Sequence, residues 1–290
     1  MTFARADYGL AGVIILIMGV LADLKILYRM VFHPGRGADH AERLESFYAA
    51  QADSYDAFRK RLLKGREELW RALGIPPDGV WVDLGAGTGA NAEHFGPGIQ
   101  SLKKVHLVDL SPSLLEVAKR RIADRGWKNV VTHVADATRF RPEEPADVVT
   151  FSYSLTMIPD WFAALENARA ILKPGGKIGV VDFYVSRKFP AEGLRRHGAC
   201  SRLFWTFWFN YDNVFPSPDH IPYLQRHFET VLLEEHRAKV PYLPLAKAPY
   251  YIFVGQKPSE GPTVDPSGKP AAEQAAEPAG EAAVGTSGSA

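Results

Sequence analysis

The sequence predicts an α/β fold with a doubly wound, mostly parallel sheet of seven strands. From residue 80 to residue 183, short apolar runs alternate with segments of helical periodicity. This rhythm is typical of parallel sheets, because each parallel connection requires a crossover, usually a helix. A glycine-rich turn follows the first apolar run, and sheets of this kind bind ligands beyond the carboxyl ends of their strands.

The period of the hydrophobic residues, the length of each segment and the turn residues predict the individual strands and helices. Short apolar runs predict five strands, and the turn KPGG at 173–176 precedes the last of them. Ser111 is the expected N-cap of the helix after the second strand. Two final strands should pair antiparallel and close the sheet. The predicted strands are 80–84, 105–109, 130–134, 147–153, 177–183, 230–237 and 250–256, and the predicted helices are 113–125, 161–172 and two between 38 and 73.

Composition argues against nucleic acid and metal as ligands. The 34 Lys and Arg nearly balance the 33 Asp and Glu, for a net charge of +1, whereas nucleic acid requires a basic face. The single cysteine, Cys200, excludes an intrachain disulfide and cysteine-rich metal sites. The nine histidines lack the paired spacing of a zinc site. We therefore expect no metal and no nucleic-acid partner.

The N-terminus carries an uncharged apolar run over residues 8–22. A spanning helix needs roughly 20 apolar residues, so this run is expected to anchor the protein by spanning the membrane or by lying in its surface. A cleaved signal peptide and a buried core helix are the alternatives. Because Lys25, Arg29 and Arg36 follow the run and only Arg5 precedes it, the folded domain should be membrane-associated and face the cytoplasm.

Three regions are expected along the chain. Residues 1–35 form the hydrophobic anchor helix, and residues 36–257 form the folded domain, with an N-terminal helical cap and an aromatic insertion near 186–226. Residues 258–290 are rich in Ala, Gly, Pro, Ser and Glu and should be a disordered tail. One Lys and five acids give this tail a net charge of −4, so the rest of the chain carries +5. That surplus suits an anionic membrane surface.

The glycine-rich turn, VWVDLGAGTGA at 80–90, predicts a cofactor site. Glycine allows a backbone to turn tightly and to approach a ligand closely. A dinucleotide also fits, because the pattern meets a loose dinucleotide fingerprint and Asp109 lies 20 residues past Gly89. However, Asp83 at the strand end would repel a pyrophosphate, whereas it could receive the ammonium of a methionine moiety. The glycines alternate after the buried strand: Gly85, Gly87 and Gly89.

Two further acids stand at predicted strand ends. Asp109, followed by Leu110, is positioned to accept hydrogen bonds from two ribose hydroxyls. Asp136, followed by Ala137, is positioned to accept from the exocyclic amine of an adenine. The alternative is that these acids are merely solvated residues on a sheet that binds nothing. Their combination with the glycine turn favours a nucleoside cofactor joined to a methionine moiety.

This combination resembles the class I methyltransferase family over about residues 40–257. The resemblance implies a Rossmann-like sheet and S-adenosyl-L-methionine as the cofactor. It also implies that Tyr55 covers the cofactor, although Tyr55 also suits helix packing. Ser152 and Tyr153, after the fourth strand, should line the methionine side.

Aromatic and basic segments indicate a lipid as the methyl acceptor. Residues 204–211 are dense in aromatics, and basic residues cluster at 59–66 and 187–202. Trp and Tyr with basic neighbours favour the bilayer interface, where one edge of each ring stays in water. Core packing for the aromatics and solvated helix faces for the charges are the alternatives.

The acceptor is suggested by a closer resemblance. The segments 45–56, 59–66, 207–214, 217–224 and 249–255 resemble the methyltransferase half of betaine lipid synthases. This resemblance implies three methylations of the amino group of diacylglyceryl homoserine. The chain has no second cofactor fold for the aminocarboxypropyl transfer, so a separate aminocarboxypropyl transferase is implied as a functional partner. Phosphatidylethanolamine and a quinone precursor remain alternative acceptors, and a non-catalytic cofactor-binding scaffold is the alternative outside enzymes.

Three residues are candidates for the catalytic steps: Tyr153, Tyr184 and His220. Methylation of an amine requires a neutral nitrogen, and His220 could accept its proton near neutral pH. A helix-cap role for the pair Asp219–His220 fits the sequence equally well. The tyrosine rings could stabilise a methylated cation by roughly 0.5–2 kcal/mol each.

Overall fold

The computed structural model describes Glu42, Glu45 and residues 62–211, 213–240 and 246–259. The chain divides into two units, Met1–Lys257 and Pro258–Ala290. The predicted anchor at 1–35, Tyr55 and nearly all of the predicted tail lie outside the described residues. In the described part of the chain, no helix is long and apolar enough to cross a bilayer.

Seven strands form a single sheet in the order β3-β2-β1-β4-β5-β7-β6. The first five strands pair in parallel, and β7 runs antiparallel to both β5 and β6. The Rossmann-like, doubly wound sheet predicted from the sequence is thus confirmed. The strands are β1 Val80–Leu84, β2 Lys104–Asp109, β3 Val130–Val134, β4 Ala146–Ser152, β5 Leu172–Phe183, β6 Glu229–Lys239 and β7 Lys247–Gln256.

Helices connect the strands. The predicted N-cap is confirmed, because the hydroxyl of Ser111 accepts a hydrogen bond from the backbone N–H of Leu114. The region near 186–226, expected to be an aromatic insertion, contains two helices between β5 and β6. The helices are α1 Arg66–Leu73, α2 Pro112–Arg125, α3 Trp161–Ile171, α4 Ala199–Tyr211 and α5 His220–His227, with 3₁₀ segments at Ala90–Ser101 and Leu155–Met157.

Strand β5 begins five residues earlier than the sequence predicts. The KPGG segment was expected to be a turn before the strand, but it forms an irregularity within the strand, because Leu172 already pairs with Ala146 of β4 and regular pairing resumes at Lys177. The backbone N–H of Gly175 donates to the carbonyl of Lys257, whose own N–H donates to the carbonyl of Gly176. These long-range hydrogen bonds draw the segment into the strand, while Gly175 keeps a φ of 74°, as its turn preference predicts.

The centre of the sheet is buried on both faces. All five residues of β1 are buried, as expected for a central parallel strand covered by helices on each side. Alternate residues enter two apolar clusters, with Trp81 in one and Val82 in the other. The carboxyl ends of β1, β2, β4 and β5 meet at one edge of this sheet, and this edge carries the site.

Candidate functional site

The glycine-rich turn has the backbone geometry that its residues predict. Gly85, Gly87 and Gly89 have φ values of 75°, 57° and 69°, in the left-handed region that favours glycine. A Cβ added at Gly85 would lie 2.3 Å from the Cβ of Ser154. The turn is thus packed directly against the segment that follows β4.

Asp109 joins the loops that follow β1 and β2. Its Oδ2 accepts a hydrogen bond of 2.8 Å from the N–H of Gly87, and its Oδ1 accepts one of 2.9 Å from the N–H of Ser111. The side chain is partly exposed, as is the neighbouring Leu110. An ionised carboxylate has about four acceptor positions, and its oxygens are the kind of acceptor that ligand hydroxyls require.

Asp83 is a fully buried carboxylate at the end of β1. Its Oδ1 accepts from the hydroxyl of Thr150 at 2.6 Å, and its Oδ2 accepts from the side-chain amide of Asn91 at 2.8 Å. Burial raises the pKa of Asp83 to about 6, although these hydrogen bonds and the nearby Arg66 act to lower it. A cationic group bound at this position would stabilise the ionised form.

Tyr153 follows β4 in an unusual backbone conformation. Its φ is 55°, and a left-handed conformation at a bulky residue is uncommon and clusters at functional sites. The hydroxyl donates a 2.6 Å hydrogen bond to the carbonyl of Lys64, and the guanidinium of Arg66 lies 5.7 Å from the ring centroid. Arg66 also donates to the hydroxyl of Ser152. Ser152 and Tyr153 directly precede Ser154, which packs on the glycine turn, and their role on the methionine side of the cofactor stays a prediction.

The residues at this edge fit S-adenosylmethionine. The three positive-φ glycines form a tight turn at the carboxyl end of β1, and Asp83 and Asp109 are acceptors on adjacent strands. A family model described as a methyltransferase domain matches residues 82–178. The chain carries a class I S-adenosylmethionine-dependent methyltransferase domain. This confirms the predicted fold and cofactor.

Individual relatives agree with this result. The chain is 30% identical to the ubiquinone/menaquinone biosynthesis C-methyltransferase UbiE of Cupriavidus necator over 154 residues, which are 50% of this chain and 62% of that protein. The chain thus matches less than two thirds of this relative. Among solved structures, phosphoethanolamine N-methyltransferase 2 of Haemonchus contortus has a TM-score of 0.60 at 16% identity, covering 77% of this chain and 61% of that chain. The YcgJ protein of Bacillus subtilis has a TM-score of 0.54 at 16% identity, covering 68% and 99%.

The raised pKa of Asp83 predicts how cofactor binding to the methyltransferase domain depends on pH. If ionised Asp83 receives the cofactor ammonium, affinity should fall about tenfold between pH 7 and pH 5, because the ionised fraction falls below a pKa of about 6. In the unliganded protein, stability should decrease as the pH rises from 3.8 through about 6, because ionisation of Asp83 opposes folding in that window. Isothermal titration calorimetry at pH 5, 6 and 7 measures the first effect.

The Asp83→Asn variant is the control for this pH dependence. The Oδ1 of Asn91 has no hydrogen-bond partner in the described part of the chain, so the Asn91 amide can flip and accept from the new amide. We expect weaker binding with no pH dependence in this range, while Asp182, whose pKa is also about 6, remains in place. A pH dependence that persists in Asp83→Asn would assign the titration to another group.

Asp136 begins a turn after β3. Its Oδ1 accepts from both the backbone N–H and the hydroxyl of Thr138, each at 2.8 Å. Ala137 is buried, and its carbonyl accepts from the amide of Asn167. The side chain of Asp136 is partly exposed, and its role toward the adenine stays a prediction.

Asp182 is a buried acid at the carboxyl end of β5 that the sequence analysis missed. Its two oxygens accept from the N–H and the hydroxyl of Thr156, at 3.1 and 2.7 Å. Burial raises the pKa of Asp182 to about 6. These bonds hold the segment after β4, which carries Tyr153. The available signal was a lone acid inside the apolar run IGVVDFYV.

Glu45 is a second missed residue. Its carboxylate accepts hydrogen bonds from the hydroxyls of Ser111 and Ser113 at the start of α2. Burial acts to raise the pKa of Glu45, but the hydrogen bonds from the two serines outweigh it and lower the pKa. Glu45 thus lies at the loop that follows Asp109.

His220 does not have the surroundings expected of a general base. The imidazole is fully buried, and neither ring nitrogen has a hydrogen-bond partner among the described residues. Burial lowers its pKa to about 3, and its ring packs edge-on against Trp161 at 4.8 Å. The predicted role is therefore wrong for this position, because a neutral ring in the core does not reach a substrate. Asp219 is not a side-chain cap either, since its carboxylate pairs with Arg187.

Tyr184 is likewise engaged in the core. Its hydroxyl donates a 2.7 Å hydrogen bond to Glu235, and its ring contacts Tyr251 and His197. Tyr184 belongs to a different apolar cluster from Tyr153. Of the three catalytic candidates, Tyr153 is the one next in sequence to Ser154, which packs on the glycine turn.

Proposed function

We propose that this protein is an S-adenosylmethionine-dependent N-methyltransferase that acts on the amino group of a membrane lipid. The proposed acceptor is diacylglyceryl homoserine, and the product is the trimethylated betaine lipid. One observation carries the proposal. The segment 207–214, part of the betaine-lipid resemblance, includes Phe209, whose ring stacks on Phe183 at 4.4 Å. Phe183 in turn contacts the ring of Tyr153 at 4.8 Å. The segment that suggests the lipid thus packs against the site.

The residues at the site would act mainly by positioning. When bound, the cofactor supplies a methyl group on a sulfonium, which the amine nitrogen attacks in line as the carbon–sulfur bond breaks. Asp83 would hold the ammonium of the cofactor and Asp109 its ribose, which fixes the direction of the methyl group. Such alignment can lower a barrier by several kcal/mol. The face of Tyr153 is suited to the methylated cation, by roughly 0.5–2 kcal/mol.

The chemistry of the acceptor decides whether a base is needed at the site. An amine needs only to lose its proton to water before it reacts, whereas a phenolic ring needs a base to activate it. The described contacts of Tyr153 include Arg66, Phe183 and the carbonyl of Lys64. Burial raises the pKa of Tyr153, and the Asp182 carboxylate lies near enough to act to raise it further. The candidate base, His220, lies in the core with a pKa of about 3.

A quinone precursor is the second candidate acceptor. The 30% identity to a ubiquinone/menaquinone C-methyltransferase favours it. Both acceptors are membrane-embedded, so both fit a membrane-associated protein with its folded domain in the cytoplasm. We further propose an aminocarboxypropyl transferase as the functional partner that supplies diacylglyceryl homoserine.

Co-expression tests the acceptor. The chain is expressed with an aminocarboxypropyl transferase in a host that lacks betaine lipids, and lipid extracts are analysed by mass spectrometry. We expect trimethylated homoserine lipid only when both proteins are present, and only the unmethylated lipid when the chain carries Asp109→Ala. Unmethylated lipid with the parent chain would contradict the proposal.

An assay with purified protein distinguishes between the candidate acceptors. The full chain is incubated with radiolabelled cofactor and mixed micelles of diacylglyceryl homoserine, phosphatidylethanolamine or a demethylated quinone precursor. Label in the homoserine lipid supports the proposal, and label in either other lipid reassigns the acceptor. Cofactor binding without transfer to any of the three would indicate a non-catalytic scaffold.

A further inference from the structure

Helix α4 carries an exposed apolar stripe. Leu203 and Phe207 are 73% and 75% exposed, and Phe204 is 44% exposed. With Cys200, which is also exposed, they occupy positions i, i+3, i+4 and i+7, which lie on one face of a helix. Large exposed apolar groups that are contiguous on a folded protein indicate an interaction surface.

The opposite face of α4 is fixed against the cofactor domain. Trp205 and Phe209 are buried and stack on each other at 5.3 Å. Phe209 also stacks on Phe183, which contacts Tyr153. Because packing holds this face, the exposed stripe has a defined direction. The rings of Phe209 and Phe183 lie between the helix backbone and Tyr153.

The loop before α4 adds exposed aromatic and basic groups. Two hydrogen bonds between Ser186 and His197 close the loop at its base. Phe189 is 73% exposed, with the Lys188 ammonium 5.3 Å and the Arg196 guanidinium 5.6 Å from its ring centroid. Over residues 186–211, five Lys or Arg against one Glu give a net charge of +4.

We propose that the α4 stripe and Phe189 form a docking surface for an anionic lipid bilayer. The apolar side chains would enter the interfacial region, and the surrounding cations would contact lipid phosphates. The charge favours this occupant over an apolar protein groove, because Lys188 and Arg196, the cations beside Phe189, would have to be desolvated against protein. This inference rests on the proposed function, and it would place the Tyr153 site next to the lipid headgroups.

The single cysteine of the chain provides a direct probe. Cys200 lies on the stripe, so a nitroxide attached to it in the full chain reports the surroundings of this face without an engineered residue. Vesicles contain equal amounts of phosphatidylcholine and phosphatidylglycerol. We expect collisions of the label with oxygen to increase severalfold on vesicle addition, and collisions with a water-soluble nickel chelate to decrease. Vesicles of phosphatidylcholine alone should give a smaller change.

Matched variants test the surface itself. Leu203→Ser with Phe207→Ser should leave the label in water even where another part of the chain holds the protein on the vesicle. Val231→Ser removes an exposed apolar side chain from β6 and should change nothing. Lys188→Glu with Arg196→Glu should weaken the response to anionic vesicles about tenfold or more, because each exchange reverses a charge.

Three outcomes overturn the inference. The first is that the label stays in water although the protein sediments with vesicles. The second is that the label is shielded before vesicles are added, and the third is that the Val231→Ser variant behaves as the stripe variant does. Shielding in the absence of lipid would instead indicate another segment of the chain, a second copy or a protein partner on this face.

Failure of the proposed function is distinguishable from failure of the docking surface. Docking is measured without methyl transfer, and the stripe variant should still methylate acceptor in detergent micelles as the parent does. Docking without methylation of any lipid amine would contradict the proposed function but would still support the proposed docking surface.

Discussion

Replacing Gly85 by alanine is expected to abolish cofactor binding and to lower the free energy of unfolding by about 2–4 kcal/mol. The backbone there has a φ of 75°, which is unfavourable for alanine. The new Cβ would lie 2.3 Å from the Cβ of Ser154. Ser154 cannot withdraw freely, because it is buried and its hydroxyl donates a 2.7 Å hydrogen bond to the carbonyl of Leu84. The turn must therefore shift, and the acids around it shift with it.

Alanine variants of two other glycines distinguish backbone strain from steric overlap as the cause of the lower stability. Gly126→Ala introduces a residue at a φ of 66° with nothing within 4 Å of the new Cβ, so it reports backbone strain alone. Gly98→Ala has open space and no left-handed φ, so it should behave as the parent. Urea unfolding and calorimetric titration with the cofactor measure both quantities. Equal destabilisation of the Gly85 and Gly126 variants, with affinity retained, would contradict the packing argument.

The sheet was largely predictable because local signals bound its strands. The structure gives β1 and β3 the predicted limits, Val80–Leu84 and Val130–Val134. The first follows a Pro and Gly segment and ends at a glycine that has to turn. The start of β5 was not predictable, because its early residues join the strand through hydrogen bonds with Ala146 and Lys257, which are distant in sequence.

The position of the candidate acids at one edge of the sheet was predictable for a topological reason. The carboxyl ends of parallel strands meet at one edge, so acids that follow successive strands converge there. Proton affinities were not predictable in the same way. His220 resembles a general base in sequence, but Trp161 and Tyr251, remote along the chain, pack around it. Desolvation by such contacts decides its pKa, and no local pattern records them.

The conformation of Tyr153 was also hidden from the sequence. A tyrosine with a φ of 55° breaks the local preference of an aromatic residue, and strain of about 1–3 kcal/mol persists only where the surroundings enforce it. Here the N–H of Tyr153 donates to the carbonyl of Val181, and its hydroxyl donates to the carbonyl of Lys64. These long-range bonds fix the backbone and the hydroxyl of Tyr153. A backbone conformation that the residue type disfavours is expected at functional sites.

Replacing Asp109 by alanine should weaken cofactor binding roughly 100-fold or more. The carboxylate would lose hydrogen bonds to two ribose hydroxyls, and hydrogen bonds to a charged group contribute about 1.5–3 kcal/mol each. The variant also leaves the N–H groups of Gly87 and Ser111 without their acceptor, which loosens the loops that form the site. Asp109→Asn should show a smaller loss, because it keeps one acceptor oxygen.

Asp147→Ala is the matched control for this prediction. Asp147 also accepts from a backbone N–H, that of Val80 at 2.8 Å, and pairs with Lys173. It lies at the amino end of β4, on the sheet edge opposite the site. Its removal should lower stability while leaving the cofactor affinity of the folded protein unchanged. If calorimetry shows parent affinity for Asp109→Ala, the ribose assignment is wrong and Asp109 serves only to join the two loops. If both variants lose affinity alike, the loss reports general loosening of the sheet. A direct ligand contact would lower the affinity of the Asp109 variant alone, because Asp147 lies at the opposite edge.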